Sequence, residues 1–339
     1  MTTPSAQTDR FVHDRLPPRD QWPELRYELR ELRIADQATL VERLFDGVAA
    51  RGGADRPLLR SPQITFTYAE TRERVDRITS YLVHELKLEP GNRVLLRGGN
   101  SIGMALSWLA VVKAGLIAVA TMPLLRATEL SKVIDKAQPV AAICDARLLQ
   151  ELEQAQQAFP ALQHVLRFNS PDDPSDLGQL VAHQAATFTA CPTSADDIAL
   201  LAFTSGTTGA PKAVVHTHRD VLAACEAWPR HVLRPTSDDI VTGSPPLAFT
   251  FGLGGLLLFP MWAGASIYYP DANYNPETMV RQMREQGVTT CYTSPTFYRQ
   301  LAPHMKAIGV PSLRTCVSAG EALPDATRQL WKDATGIEM

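Results

Sequence analysis

The chain has 339 residues, of which 45% are hydrophobic and 20% are charged, with a formal net charge of −3. This composition can fill the cores of two domains, and its charge balance excludes the basic signature of nucleic-acid or anionic-membrane binding. The five cysteines are widely spaced, which favours reduced thiols over a disulfide framework or zinc site. With no signal-peptide pattern and no unbroken run of about 20 apolar residues, we expect a cytoplasmic protein.

Apolar residues then recur at helical and strand-like spacings that alternate along the chain. The helical spacing predicts helices after residue 101, near residue 252, and over residues 38–51, 68–86, 129–137, 148–159, 219–227, 276–286, 295–307 and 324–335. The strand-like spacing predicts strands that include one ending at residue 215 and others over residues 64–68, 93–96, 117–121, 141–145, 164–168, 198–204, 240–242, 266–269, 289–293 and 315–318.

This alternation predicts an α/β fold of two similar layered subdomains, each with a largely parallel sheet flanked by helices. Polar loops interrupt the pattern at residues 170–176 and 190–197, and the second loop is the better internal boundary. We therefore predict an N-terminal surface arm over residues 1–37, a first subdomain over 38–190 and a second over 191–339.

The most informative segment is a loop rich in hydroxyls and glycines that follows the apolar strand over residues 198–204. Glycines allow successive backbone N–H groups to converge on an anion, hydroxyls add short donors, and a lysine adds positive charge. The spacing differs from a Walker A loop, because Lys212 is followed by Ala213 rather than Ser or Thr. A polyphosphate cradle is favoured over a flexible loop with an incidental lysine, and its residues are Thr204, Ser205, Gly206, Thr207, Thr208, Gly209, Pro211 and Lys212.

Residues 204–212 resemble the phosphate loop of the acyl-adenylate-forming superfamily, although Ala213 stands where that family usually has Gly. Residues 244–252 (SPPLAFTFG) resemble its next motif, which borders the acyl pocket, with Phe249 where many relatives have His. Residues 317–324 (VSAGEALP) resemble the segment that contacts adenine and the acyl group. Together with RDQWPE and MPLLRATEL, these segments are similar to the aryl-CoA ligase branch, which acts on benzoate and 2-aminobenzoate.

The resemblance implies ATP-dependent activation of an aromatic acid to an acyl-adenylate and then to a coenzyme A thioester, with Mg²⁺ accompanying ATP. Lys212 would stabilise the departing pyrophosphate. The implied nucleotide-binding residues are Thr204, Ser205, Gly206, Thr207, Thr208, Gly209, Lys212, Ser318, Ala319, Gly320 and Glu321. The implied acid pocket contains Phe249, Phe251, Gly252 and Ala319. The implied partners are the acid, ATP and CoA, without nucleic acid or membrane.

The family pattern continues beyond Met339. Its Mg²⁺-binding Glu, its ribose-binding Asp and the C-terminal lid domain with a catalytic Lys have no counterparts in this sequence. We therefore expect an N-terminal fragment that does not complete thioester formation alone.

Three other functions compete with the aryl-CoA ligase interpretation. An adenylating enzyme could deliver its acid to a carrier-protein thiol, and a non-catalytic remnant could bind ATP or acid without turnover. A phosphotransferase is the weakest alternative. The pair His216 and His218 lacks a third metal ligand, so a structural role is favoured for both.

Overall fold

The computed structural model describes residues 4–204, 211–270 and 275–339. In those residues the strands β1 to β12 are Pro57–Arg60, Thr65–Thr67, Arg93–Arg97, Ile117–Thr121, Ala141–Asp145, His164–Phe168, Ile198–Thr204, Lys212–Thr217, Ile240–Gly243, Ser266–Tyr268, Thr290–Thr293 and Thr315–Ser318. The helices α1 to α12 are Leu40–Ala49, Tyr68–Ser80, Ile102–Lys113, Ala127–Ala137, Leu149–Gln156, Leu177–Leu180, His218–Trp228, Thr250–Leu253, Phe259–Ala263, Pro276–Glu285, Pro295–Ile308 and Asp325–Thr335.

The strands form two six-stranded sheets. The first sheet has the order β6-β5-β3-β4-β7-β8, and all of its pairs are parallel except β7–β8. The second has the order β12-β11-β9-β10-β1-β2, and all of its pairs are parallel except β1–β2. Because helices connect most of the parallel strands, the predicted α/β class with largely parallel sheets is confirmed.

The predicted boundary between residues 190 and 191 does not separate the two sheets. Strands β1 and β2 precede that boundary but pair in the second sheet, whereas β7 and β8 follow it but pair in the first. Strand partners are chosen by hydrogen bonding between segments far apart in the chain, so a loop in the sequence does not mark where a sheet ends.

Local sequence explains most helix boundaries. Helix α2 begins with a capping box, in which the Thr67 hydroxyl accepts from the Glu70 N–H and the Glu70 carboxylate accepts from the Thr67 N–H. Helix α12 ends at Thr335 and is capped by Gly336, which adopts the left-handed conformation with φ of 75°. Strand β1 was not predicted from the sequence.

Helix α3 is apolar on nearly every side because it lies in the core, where Met104 to Lys113 are all buried. Its side chains belong to one hydrophobic cluster that also contains Leu96 of the first sheet and Ile267 of the second. No helix among the described residues is long and apolar enough to cross a membrane.

The predicted surface arm is mostly exposed, but it is anchored at its start. The buried Gln7 side chain donates from Nε2 to the Ile198 carbonyl oxygen at 2.7 Å and accepts from the Ile198 N–H at 3.2 Å. Asp9 forms an ion pair with Arg93 at the start of β3. The arm therefore fastens the amino ends of strands in the first sheet.

His218, the first residue of α7, is fully buried and accepts a hydrogen bond from the Leu40 N–H at 3.3 Å through Nδ1. Burial lowers the pKa of His218 from 6.5 to about 4. Its Nε2 has no hydrogen-bond partner among the described residues. The imidazole is thus a neutral core group, in agreement with the structural role predicted for it.

This burial makes stability depend on pH. Because the folded-state pKa of His218 lies below the unfolded value of 6.5, its contribution is fully present above pH 6.5 and is lost as the pH falls toward 4. Between pH 7 and pH 4, urea unfolding should show wild-type protein losing about 3 kcal/mol more than a His218→Asn variant. The partly exposed His216→Asn serves as control, and parallel profiles for wild type and His218→Asn would contradict this account.

Candidate functional site

The carboxyl ends of β9, β11 and β12 lie side by side in the second sheet and carry hydroxyl side chains. Ser244 follows β9, and its hydroxyl hydrogen-bonds to that of Thr293 at the end of β11. Thr293 lies opposite Ser318 at the end of β12. The Ser318 Oγ is buried without a hydrogen-bond partner among the described residues. Such an edge is where parallel α/β sheets place their ligands.

The ends of the predicted phosphate loop are held in the first sheet. Thr204, the last residue of β7, pairs across the antiparallel ladder with Lys212, the first residue of β8. Both are exposed, and Lys212 forms no ion pair within the described ranges. The predicted loop residues Ser205, Gly206, Thr207, Thr208 and Gly209 lie outside the described residues.

The segment after β9 is fastened to the first sheet by Asn100, which the sequence analysis did not single out. The Asn100 side chain donates to the Pro245 carbonyl oxygen at 2.9 Å and accepts from the Leu247 N–H at 2.8 Å. Asn100 lies in the loop between β3 and α3, 145 residues before Pro245. A contact at that separation leaves no periodic signal in the sequence, so the pairing was not predictable.

Phe249 lies on this fastened segment, immediately before α8. It is 42% exposed, and with Trp108, Leu200 and Ala202 it lines a cavity of about 10 Å³. A cavity of that size holds about one water molecule. The structure therefore places Phe249 between the body of β7 and open solvent, near the strand that leads into the phosphate loop.

Phe251 and Tyr292 form the aromatic part of the site. Their ring centroids are 5.9 Å apart, with an interplanar angle of 59°. Tyr292 of β11 is 1% exposed, and burial raises its pKa above the ordinary value, an effect that the nearby Trp228 side chain opposes. The Tyr292 hydroxyl has no partner of good geometry among the described residues. Tyr292 is thus a core residue that packs against Phe251.

Gly252 has a packing role that the sequence analysis did not assign. A Cβ on this buried residue of α8 would lie 2.1 Å from the Pro246 carbonyl oxygen and 2.5 Å from that of Pro245. Only glycine allows α8 to approach this backbone so closely. Whether Gly252 also lines an acid pocket stays a prediction.

We expect Gly252→Ala to lower the free energy of unfolding by about 2 kcal/mol, since the new methyl group must displace backbone atoms. Gly99→Ala is the matched control, because a Cβ there meets nothing within 4 Å, and it should change stability by less than about 0.5 kcal/mol. Chemical denaturation of the two variants in parallel measures the difference. Equal stabilities of the two variants would show that the backbone of residues 244–252 moves freely to accept a side chain at position 252.

The segment after β12 forms a turn whose acidic residue caps a helix. Gly320 has φ of 90° and open space at its Cβ position. The exposed Glu321 carboxylate accepts from the Thr296 N–H at 2.8 Å in the first turn of α11. Hydrogen bonds from Thr296 hold the pKa of Glu321 below its ordinary value. Ser318 and Ala319 are partly exposed, whereas Gly320 and Glu321 are exposed.

The described residues do not provide a metal site. They contain no group of three or more His, Cys, Asp or Glu side chains placed to hold an ion. The acidic side chain next to the site, Glu321, is engaged by a helix N-terminus. The Mg²⁺ implied by the resemblance therefore has no ligands that can be assigned within these ranges.

Fold and site together define an α/β protein with two largely parallel sheets, a hydroxyl-bearing edge at the carboxyl ends of β9, β11 and β12, and a β7–β8 hairpin whose strands end at Thr204 and begin at Lys212. Within that class the chain belongs to the AMP-binding enzyme family, because residues 45–339 match that family. This match confirms the resemblance found in the sequence.

Two curated relatives and one solved structure illustrate the similarity. Benzoate–CoA ligase of Thauera aromatica is 30% identical over 294 residues, which cover 86% of this chain and 55% of the relative. Anthranilate–CoA ligase of Pseudomonas aeruginosa is 29% identical over 265 residues, covering 74% and 48%. The crystal structure of the anthranilate CoA ligase AuaEII in complex with anthranoyl-AMP has a TM-score of 0.84 at 27% identity, covering 91% of this chain and 60% of that chain. The chain thus spans about half the length of the curated relatives.

Proposed function

We propose that the protein activates an aromatic carboxylic acid, benzoate or 2-aminobenzoate, with ATP and passes it to coenzyme A. Lys212 carries the proposal: it is an exposed cation without an ion pair in the described ranges, opposite Thr204 at the base of the glycine- and hydroxyl-rich loop. A lysine in that position supplies the charge that a polyphosphate needs. The printed activities of the relatives supply the substrate class.

In the first step, a carboxylate oxygen of the acid attacks the α-phosphorus of ATP. The bond from that phosphorus to the bridging oxygen breaks, and pyrophosphate leaves with the electron pair. Negative charge grows on the leaving group, where Lys212 and the loop donors would stabilise it. In the second step a thiol attacks the acyl carbon and AMP leaves. No residue of this chain is assigned to that step.

The acid would lie against the aromatic side chains of Phe249 and Phe251. Flat apolar walls suit a benzoate ring. Ser318 adds a buried hydroxyl without a partner in the described residues, at the edge where the adenylate would lie. A buried polar atom of this kind gains free energy when a ligand pairs with it.

Aromatic-acid-dependent ATP–pyrophosphate exchange on this chain tests the proposal directly. Exchange with benzoate or 2-aminobenzoate above the level with acetate would support adenylation of an aromatic acid, and the faster acid would identify the substrate. ATP binding without exchange would instead favour a non-catalytic binding protein. Absence of ATP binding would overturn the proposal. Comparing CoA with a carrier-protein thiol as acceptor separates the two ligase alternatives.

A further inference from the structure

A large cleft lies between the two sheets, away from the phosphate-loop hairpin. Its volume is about 900 Å³, within the range of small-molecule sites. One wall comes from the first sheet, at the loop after β3 and at Phe168 of β6. The opposite wall comes from the β1–β2 hairpin of the second sheet and from Tyr269, which directly follows β10. We call it the switch-point cleft.

Its position follows from the order of strands in the first sheet. After β3 the chain adds β4 on one side, and β5 then pairs on the other side of β3. The loops that leave β3 and β5 therefore diverge, and a crevice opens between their carboxyl ends. Ligands of open α/β sheets bind at this kind of point. Asn100, which follows β3, and Arg147, which follows β5, both line the cleft.

The lining combines an apolar floor with positive charge. The floor consists of Ile78, Ile102, Leu106, Phe168, Leu177 and Val181. Close packing of the Phe168 ring requires Gly98 and Gly103, where a Cβ would lie 2.7 Å and 2.6 Å from ring atoms. The floor is thus a fixed surface rather than a gap between loose side chains.

The Arg74 side chain gives the cleft lining a positive charge that no carboxylate among the described residues neutralises. Its guanidinium carbon lies 3.7 Å from the centroid of the Phe66 ring and it donates to the Glu70 carbonyl oxygen, but it forms no ion pair within the described ranges. The other charged side chains of the lining already have ion-pair or hydrogen-bond partners. Glu73 is paired with Arg77, and Asp176 accepts from backbone groups and from a serine.

We propose that the switch-point cleft binds an organic anion with an apolar body, whose charged group pairs with Arg74 while its body lies on the Phe168 floor. An apolar cavity with one unneutralised guanidinium at its wall favours this chemistry over a neutral or cationic ligand. The cleft and the β7–β8 hairpin lie on opposite sides of β3, since β4 intervenes between β3 and that hairpin.

The cleft also touches the proposed acid site through Asn100. Asn100 lines the cleft and holds the Pro245 and Leu247 backbone that leads to Phe249. An occupant of the cleft thus contacts the residue that positions the acid-pocket motif. A ligand in the cleft that moves the Asn100 side chain therefore changes the affinity of the site for the aromatic acid.

Titration with 8-anilinonaphthalene-1-sulfonate, an anionic apolar fluorophore, tests the cleft, and neutral N-phenyl-1-naphthylamine is the matched probe. Arg74→Gln should weaken binding of the anionic probe about tenfold or more, while the neutral probe changes less than about twofold. Ala182→Trp, which places a large side chain at the exposed rim, should weaken both probes. Arg328→Gln, on the exposed face of α12, should weaken neither.

The probe should remain bound when ATP is saturating, because the two sites are separate. Displacement of the probe by ATP, or unchanged binding in both Arg74→Gln and Ala182→Trp, would overturn the proposal. Urea unfolding midpoints of the variants identify any loss of fold. Since this measurement requires no turnover, a failure here is distinct from a failure of the proposed adenylation.

Discussion

Replacing Lys212 with methionine is expected to lower aromatic-acid-dependent ATP–pyrophosphate exchange by about 100-fold or more. The methionine keeps most of the side-chain length but removes the charge that would stabilise the departing pyrophosphate. Loss of one preorganised group at a developing anion typically costs about 10²–10³ in rate. If this chain binds ATP without exchange, the same variant should weaken ATP binding about tenfold, as expected for a charged hydrogen bond.

Two further variants make the Lys212 result interpretable. Lys132→Met removes an exposed lysine of α4 and should leave exchange within about twofold of wild type. Lys212→Arg keeps the charge but changes the donor geometry, so its rate should lie between those of wild type and Lys212→Met. Exchange in Lys212→Met within about threefold of wild type would remove Lys212 from the proposed mechanism.

Replacing Lys113 with methionine is expected to lower the free energy of unfolding by about 3–5 kcal/mol. Lys113 is fully buried in α3, and its ammonium forms ion pairs with Glu42 of α1 and Asp76 of α2. Burial raises the pKa of Asp76 above its ordinary value, and pairing with Lys113 opposes that effect only in part. Without the ammonium, two carboxylates share a site with little water.

Stability is measured by urea unfolding, again with Lys132→Met as the exposed control. The double variant Lys113→Met/Asp76→Asn should recover part of the loss, because the carboxylate of Asp76, which loses its ion pair with Lys113, becomes neutral. Glu42 also pairs with Arg72, so its charge remains compensated in both variants. A loss below about 1 kcal/mol for Lys113→Met would show that water reaches the cluster and replaces the ammonium.

The sequence predicted most elements close to their observed bounds, because helix and strand periodicities are local. Strand β5 occupies the predicted residues 141–145, and helix α10 begins at the predicted Pro276. The motifs at residues 244–252 and 317–324 were likewise found by local pattern. The structure places both at the same edge of the second sheet, at the carboxyl ends of β9 and β12, with β11 between these two strands.

Other features of the candidate site came from contacts between distant segments. The Asn100 side chain hydrogen-bonds to Leu247, which lies 147 residues later in the chain. Gly252 packs against the carbonyl oxygen of Pro246 because the short helix α8 brings its Cα close to that backbone. Neither residue type is unusual in a loop or an apolar segment. Their roles depend on which backbone faces them, and residue spacing carries no information about that.

By itself, the sequence determined the α/β class, the order of the elements and the phosphate-loop signature, since all three depend on residues within one or two turns of each other. The tertiary structure decided which strands share a sheet, so that β1 and β2 join the second sheet while β7 and β8 close the first. It also decided that a cleft opens between the sheets beside Asn100. Strand partners and clefts arise from hydrogen bonds and packing between segments far apart in the chain, and these have no period that a sequence displays.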